Sequence, residues 1–271
     1  MPIWGARSKQ EMAVAESKEV LGRLESRWTQ VDHMRIHVRT SVEPVPPESP
    51  VVVLVHGVGV SSRNLIPTAV RLAPYYQVYA PDLPGFGRSS KPSRVLDIPE
   101  LAYWLAAWLQ TMKLERPAIL TNSVGCQTVA HMMVSHPVAV DRLVLIGPTS
   151  EPGARTMKEQ LRRWLGGASG ESIHLTLSNL RDYVDCGPVR LVRTFQFSLK
   201  DHIEDKLPHI RVPTLVVRGS RDIIAPQGWA EGVTRRLPKG RLEVVPGGMH
   251  TVNFQAAPQL VQIVRPFLED K

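Results

Sequence analysis

Six short segments of this 271-residue chain read as apolar strands without polar alternation: Val51–Val55, Val78–Ala80, Ala118–Leu120, Leu143–Ile146, Thr214–Val217 and Leu242–Val245. A strand with one face in water carries polar residues at alternate positions, so strands lacking that pattern must be covered on both faces. A mostly parallel sheet with helical crossovers provides that cover. Helical stretches fall where such a sheet needs them: near 62–73, from Asp97 to Lys113 with Glu100 as capping partner, and from Ser123 to His136 with Pro137 as the stop. Two more lie near 227–237 and 258–268. The expected class is α/β, a central sheet flanked by helices, and with 43% apolar residues the chain can bury one such core undivided.

Outside these repeats the pattern changes twice. Ser8 and Glu11 have capping-box spacing, and Met12, Ala15, Val20, Leu24 and Trp28 share one helical face, which predicts a peripheral helix near 8–25. Arg27–Asp32 and Met34–Thr40 alternate as a hairpin, followed by a proline-rich loop. Between Gly147 and Val212 no strand can be read, and three helix-like pieces near 154–165, 171–181 and 188–205 replace the alternation. An insertion after the sixth strand, at the carboxyl edge of the sheet, would lie over the crevice where open α/β sheets bind ligands. The expected division is a peripheral helix over 1–26, a core made of 27–148 and 212–271, and a helical cap over 149–211.

The chemistry gathers at strand ends. Ala118–Leu120 runs into Thr121-Asn122-Ser123-Val124-Gly125-Cys126, a strand breaking abruptly into a turn that opens a helix. Such a turn holds a serine in a strained conformation with its hydroxyl clear of the sheet, which makes Ser123 the candidate nucleophile. Two residues before it, where glycine is usual, stands Thr121. Strand Val51–Val55 ends in His56-Gly57-Val58-Gly59, where glycines let the backbone present amides to the sheet edge. The Val58 and Val124 N–H groups are therefore the candidate oxyanion donors. His56 is expected to hold that loop. Strand Thr214–Val217 ends in Arg218-Gly219-Ser220-Arg221-Asp222, and Leu242–Val245 in Pro246-Gly247-Gly248-Met249-His250.

A serine hydroxyl becomes an effective nucleophile when a histidine accepts its proton and a carboxylate fixes the imidazole tautomer. Ser123, Asp222 and His250 supply those groups in the order serine, acid, histidine. Each has a plainer reading: Ser123 as a turn residue, Asp222 as a helix cap, His250 as one of nine histidines. Their joint placement after apolar parallel strands favours the catalytic reading. Asp82, in a Pro-Asp-Leu-Pro-Gly-Phe-Gly turn, and Glu151 are the rival acids.

The formal charge of +8 would suit nucleic acid if it were gathered, but along the chain it forms no tail, run or helical stripe, so no nucleic-acid partner is expected. Two cysteines, Cys126 and Cys186, make neither a framework nor a zinc spacing and fit a reducing compartment. No secretion signal and no spanning segment can be read, which predicts a cytoplasmic protein without stable membrane insertion.

With these motifs, the chain resembles the α/β-hydrolase family over about residues 27–269. The resemblance rests on His-Gly-Val-Gly, Pro-Asp-Leu-Pro-Gly-Phe-Gly-Arg-Ser, the Ser123 turn, Gly-Ser-Arg-Asp222 and Gly-Gly-Met-His250. It implies the α/β-hydrolase fold, the triad Ser123, Asp222 and His250, oxyanion amides at Val58 and Val124, and no metal or organic cofactor. Dehalogenases and epoxide hydrolases of the family use an aspartate at the elbow, so a serine there implies acyl transfer to water, an esterase-like reaction on a small ester or acyl substrate. Asn122-Ser123 also resembles the pairing in meta-cleavage-product hydrolases, which act on carbon-carbon bonds of vinylogous diketo-acids. In that alternative, Asn64 and Arg190 or Arg193 would bind a substrate carboxylate. A non-catalytic ligand-binding member of the fold is a third reading. The expected pocket takes in Gly57, Val60 and Asn122 with Trp164, Phe195 and Phe197; Tyr183 is a further large residue available to it.

Overall fold

The computed structural model describes residues 22–42, 46, 48–168 and 172–270, without the side chains of residues 164, 167 and 168. Eight strands form one sheet in the order β1-β2-β4-β3-β5-β6-β7-β8. These are β1 (Leu24–Val31), β2 (Met34–Ser41), β3 (Val51–Val55), β4 (Gln77–Pro81), β5 (Ala118–Asn122), β6 (Leu143–Ile146), β7 (Thr214–Gly219) and β8 (Gly240–Val245). The hairpin β1-β2 joins β4 antiparallel, and every pairing from β4 through β8 is parallel.

The six apolar segments all become parallel strands because successive side chains enter opposite layers. Val53, Val55, Ile119, Leu143, Leu145 and Val216 belong to one buried cluster. Val52, Leu54, Leu120, Val144, Ile146, Leu215 and Val217 belong to the other, on the opposite face. Strand β8 departs from the expectation of two covered faces. It is the edge strand, and only Val245 of its residues is fully buried.

The helices are α1 (Ile66–Leu72), α2 (Ile98–Thr111), α3 (Val124–Ser135), α4 (Met157–Ala168), α5 (Ile173–Cys186), α6 (Pro188–Lys200), α7 (Gln227–Arg236), α8 (Val252–Gln255) and α9 (Ala257–Glu269). The capping box read at Asp97 is present in both directions, Asp97 accepting from Glu100 N and Glu100 from Asp97 N. Between β6 and β7 the described residues hold α4, α5, α6 and short 3-10 turns, with no strand.

One expectation is corrected at the amino end. Leu24 to Trp28 lie in β1, paired with Ser41 to His37 of β2, so the helical face proposed to reach them stops short; residues 8–21 lie outside the described residues. Cross-strand pairing overrides a helical spacing of apolar residues wherever a partner strand is available.

Candidate active site

β5 ends at Asn122, α3 begins at Val124, and Ser123 between them has φ 56° and ψ −126°. A non-glycine residue is rarely held there, and such strain clusters at functional sites. The turn closes around two small neighbours. A Cβ at Gly57 would stand 3.2 Å from Ser123 Cβ, and one at Gly125 would come within 2.5 Å of Thr121 Oγ1 and 2.6 Å of the His56 carbonyl. Thr121 is therefore accommodated because Gly125 carries no side chain. Cys126 is fully buried, its thiol pushed above the ordinary range by desolvation, with Sγ 3.5 Å from the Thr121 carbonyl. It packs the turn and is not a nucleophile.

His250 and Asp222 arrive from the ends of β8 and β7. His250 Nδ1 lies 2.9 Å from Asp222 Oδ2, while Asp222 Oδ1 accepts the Ile224 and Ala225 N–H groups at 2.9 Å each. Burial works to raise the Asp222 pKa, but His250 and those two amides outweigh it, and the carboxyl is held below its usual range. Arg218, an arginine closing an apolar strand, is itself buried and donates to the Asp222 and Ala225 carbonyls, which shapes the loop carrying Asp222. Gly147 makes room on the other side, since a Cβ there would lie 3.0 Å from His250 Nδ1 and 3.2 Å from Asp222 Oδ2.

Ser123 and His250 line one cavity of about 490 Å³ together with Gly57, Val58, Val124 and Asn122. Val124 is the first residue of α3, where an N–H has no intrahelical carbonyl and the helix dipole favours negative charge. Val58 presents its backbone from the loop after β3. Val60 and Phe195 also line the cavity as expected, whereas Phe197 does not, and the Trp164 side chain is not among the described ones. Phe195 and Phe197 stand about 200° apart around α6, so a helix that turns one to the cavity turns the other away.

The insertion supplies Met157, Leu161, Asn179, Leu191 and Val192, none of which local sequence patterns single out. Asn179 Oδ1 accepts from Asn64 Nδ2 at 3.0 Å, and Asn253 Nδ2 donates to Asn64 Oδ1 at 2.7 Å. This buried chain links the 3-10 turn Ser62–Leu65 after β3, the insertion and the helix after His250. Asp182 of α5 does similar work, accepting from the Ser61 N–H and hydroxyl and pairing with Arg63.

Several alternatives lose their geometry. Asn122 spends its amide on the Ile146 carbonyl at 3.2 Å and the His250 carbonyl at 3.5 Å. Of the residues proposed to bind a substrate carboxylate, Asn64 lines the cavity, whereas Arg190 donates to the Pro92 carbonyl, Arg193 is exposed, and neither arginine lines it. Glu151 pairs with Arg163 at 2.7 Å. Asp82 meets His37, whose other nitrogen meets Ser26 Oγ at 3.0 Å, a second Ser-His-Asp succession. None of those three lines the cavity, and Asp82 also accepts the Ser62 and Arg88 N–H groups, which makes it the keystone of its turn.

His56 is buried and its pKa lowered by desolvation; Nε2 accepts the Leu83 N–H at 2.9 Å and Nδ1 faces the Gly57 carbonyl at 2.8 Å. The neutral ring satisfies both contacts, so it holds the loop after β3. A folded-state pKa below that of the unfolded chain means that the unfolded chain binds the extra proton as pH falls. Unfolding free energy is thus expected to fall as pH drops below about 6.5, and His56→Gln should remove up to one proton from that slope, about 1.4 kcal/mol per pH unit. Denaturant unfolding across that range measures it, and identical slopes for the two proteins would refute the assignment.

A mostly parallel sheet with a strained serine after β5 and a histidine-carboxylate pair after the last two strands defines an α/β hydrolase. Residues 50–185 match the family described as alpha/beta hydrolase fold, and the chain belongs to it. Among its relatives is a haloalkane dehalogenase of Mycobacterium marinum, 33% identical over 122 residues, a match spanning 43% of this chain and 39% of that protein. A pimeloyl-[acyl-carrier protein] methyl ester esterase of Xanthomonas oryzae pv. oryzae is 25% identical over 81% of this chain and 95% of its own. In structure the chain is similar to a bacterial membrane phospholipase A, with TM-score 0.78, 22% identity and coverage of 95% and 90% of the two chains. Among the described residues no group of His, Cys, Asp and Glu side chains could hold a metal ion, and no helix is long and apolar enough to cross a membrane.

Proposed function

We propose that this protein is a serine hydrolase that cleaves a neutral carboxylic ester through an acyl-enzyme. The observation that carries the reading is Ser123, strained at the mouth of α3, in one cavity with a histidine bonded to a buried carboxylate. With Nδ1 committed to Asp222, Nε2 is the nitrogen through which His250 would take the Ser123 proton as Oγ attacks the carbonyl carbon. The oxyanion would form toward the Val58 and Val124 amides. Collapse expels the alcohol, which takes the proton from His250; a water then repeats the cycle on the acyl-serine and releases the acid.

The dehalogenase relative does not set the reaction, because dehalogenases of the family attack with an aspartate where this chain has Ser123. The esterase relative, aligned over most of both chains, fits the serine. Lys158 is the one lysine or arginine among the described lining residues, and it is exposed. The apolar part of the wall, Val60, Leu161, Leu191, Val192 and Phe195, suits an acyl chain, and its polar side chains Asn64, Gln160 and Asn179 carry no charge, which suits a neutral substrate better than a diketo-acid.

A screen of neutral esters, thioesters, lactones and a vinylogous diketo-acid tests the reading: turnover of the neutral esters is expected, and preference for the diketo-acid would overturn it. Phe195→Ala should raise kcat/KM for long acyl chains relative to short ones by on the order of tenfold, since a methylene in such a pocket is worth roughly 1–3 kcal/mol. Phe197→Ala, outside the cavity, should leave that ratio unchanged. Equal profiles for Phe195→Ala and wild type would remove Phe195 from the specificity argument.

A further inference from the structure

We propose that this protein docks on an anionic lipid surface through the outward faces of α4, α5 and α6, with the mouth of the Ser123 cavity turned toward the lipid. The helices of the insertion are amphipathic the wrong way round for a water-facing element. On α5 the buried positions are Leu175, Asn179, Asp182 and Cys186, while Ile173, Leu177, Leu180 and Val184 are 71%, 59%, 57% and 73% exposed. Spacings of four, three and four residues put the exposed set in one stripe, opposite the buried set. On α6, Thr194, Ser198 and Leu199 are buried while Val189 and Val192 are exposed. On α4, Met157, Leu161 and Leu165 recur every fourth residue and are exposed. A grouping of exposed aliphatic side chains on this scale marks an interaction surface.

Cations border these stripes. Lys158 follows Met157, Arg162 follows Leu161, Arg181 follows Leu180 and Arg193 follows Val192, each about 100° further round its helix and each exposed. Lys158, Arg181 and Arg193 have no ion pair among the described residues. The acids of the same helices are already engaged, Glu159 with Arg162 and Arg163, Asp182 and Asp185 with Arg63. Aliphatic side chains with long cationic neighbours form the surface that sinks into the acyl boundary of a bilayer while the charges reach its headgroups. A second copy of the chain facing the same patch would set cations against cations.

Position ties the patch to the cavity. Met157, Leu161 and Val192 are exposed members of the stripes and also line the cavity that holds Ser123. An acyl chain leaving the lipid would meet these three side chains both at the surface and in the cavity. The docking stands without the acyl-transfer reading; delivery of lipid acyl chains to Ser123 rests on it.

Sedimentation of the full chain with sucrose-loaded vesicles tests the docking, comparing pure phosphatidylcholine with phosphatidylcholine containing one third phosphatidylglycerol. Binding to the anionic vesicles is expected to be tighter by about tenfold or more and to weaken with salt. Leu177→Glu combined with Val184→Glu, outside the cavity lining, should reduce that binding by about tenfold or more while leaving hydrolysis of a short soluble ester unchanged. Arg181→Glu with Arg193→Glu should abolish the anionic preference. Equal binding to both vesicles, or undiminished binding by the Leu177/Val184 variant, would overturn the proposal. So would a dimer in sedimentation velocity that this variant dissociates, since the face would then belong to a second copy. A wild type that binds vesicles but hydrolyses no ester would leave the docking standing and remove the acyl-transfer reading.

Discussion

Ser123→Ala is expected to abolish labelling by a fluorophosphonate and to lower turnover of a neutral ester by on the order of a million-fold, the loss seen when another serine hydrolase is stripped of its nucleophile. The magnitude follows from what remains. Val58 and Val124 would still face the developing oxyanion and the cavity would still bind substrate, but no covalent intermediate could form. The fold should survive, because the replaced side chain is one hydroxyl on a cavity wall and alanine keeps the Cβ that sits against Gly57. Positive φ at residue 123 is as strained for alanine as for serine, so melting temperature should change little. Retention of a tenth of wild-type turnover would dismiss Ser123 as the nucleophile.

Asp222→Asn is expected to lower kcat by roughly ten-thousand-fold with the fold intact. An asparagine can keep its carbonyl oxygen toward the Ile224 and Ala225 amides, which Asp222 Oδ1 now serves. Its NH₂ would then face His250 Nδ1, and two donors cannot share that contact. The ring would have to turn Nδ1 into an acceptor and carry its proton on Nε2, the wrong tautomer to act as a base toward Ser123. Comparing kcat with thermal unfolding separates the tautomer effect from loss of structure. Full activity in Asp222→Asn would show that another carboxylate does the work, yet the obvious substitute, Glu151, is held by Arg163.

Both predictions rest on residues that stand out in the amino-acid sequence alone, and the reason is local. A parallel strand covered on both faces is apolar throughout, so its end is visible as the point where polar and small residues resume. Ser123 and Asp222 each stand just past such an end, and the loop carrying Val58 follows another; His250 follows the edge strand β8, of which only Val245 is fully buried. At the amino end the same local pattern misleads at Leu24 to Trp28, because a helical spacing of apolar residues also serves a strand that finds a partner in β2.

The insertion is legible in the sequence only as an absence of strands. Which side chains it turns inward depends on the rotation of each helix, and that is decided by non-local anchors: Asn179 on Asn64, Asp182 on Ser61 and Arg63, and Gln127 on the carbonyls that end α6. Those contacts turn Phe195 inward and Phe197 away, take Arg190 to Pro92, and leave Ile173, Leu177, Leu180 and Val184 outside. They also place Lys158, Arg181 and Arg193 beside the exposed stripes, although along the chain the positive charge forms no recognisable patch. The succession of strands along the chain and the chemical groups at their ends are thus written in local patterns of residues 51 to 250. The shape of the pocket and the character of the outer face are settled by tertiary packing, since a helical periodicity defines a stripe but not the surface that will cover it.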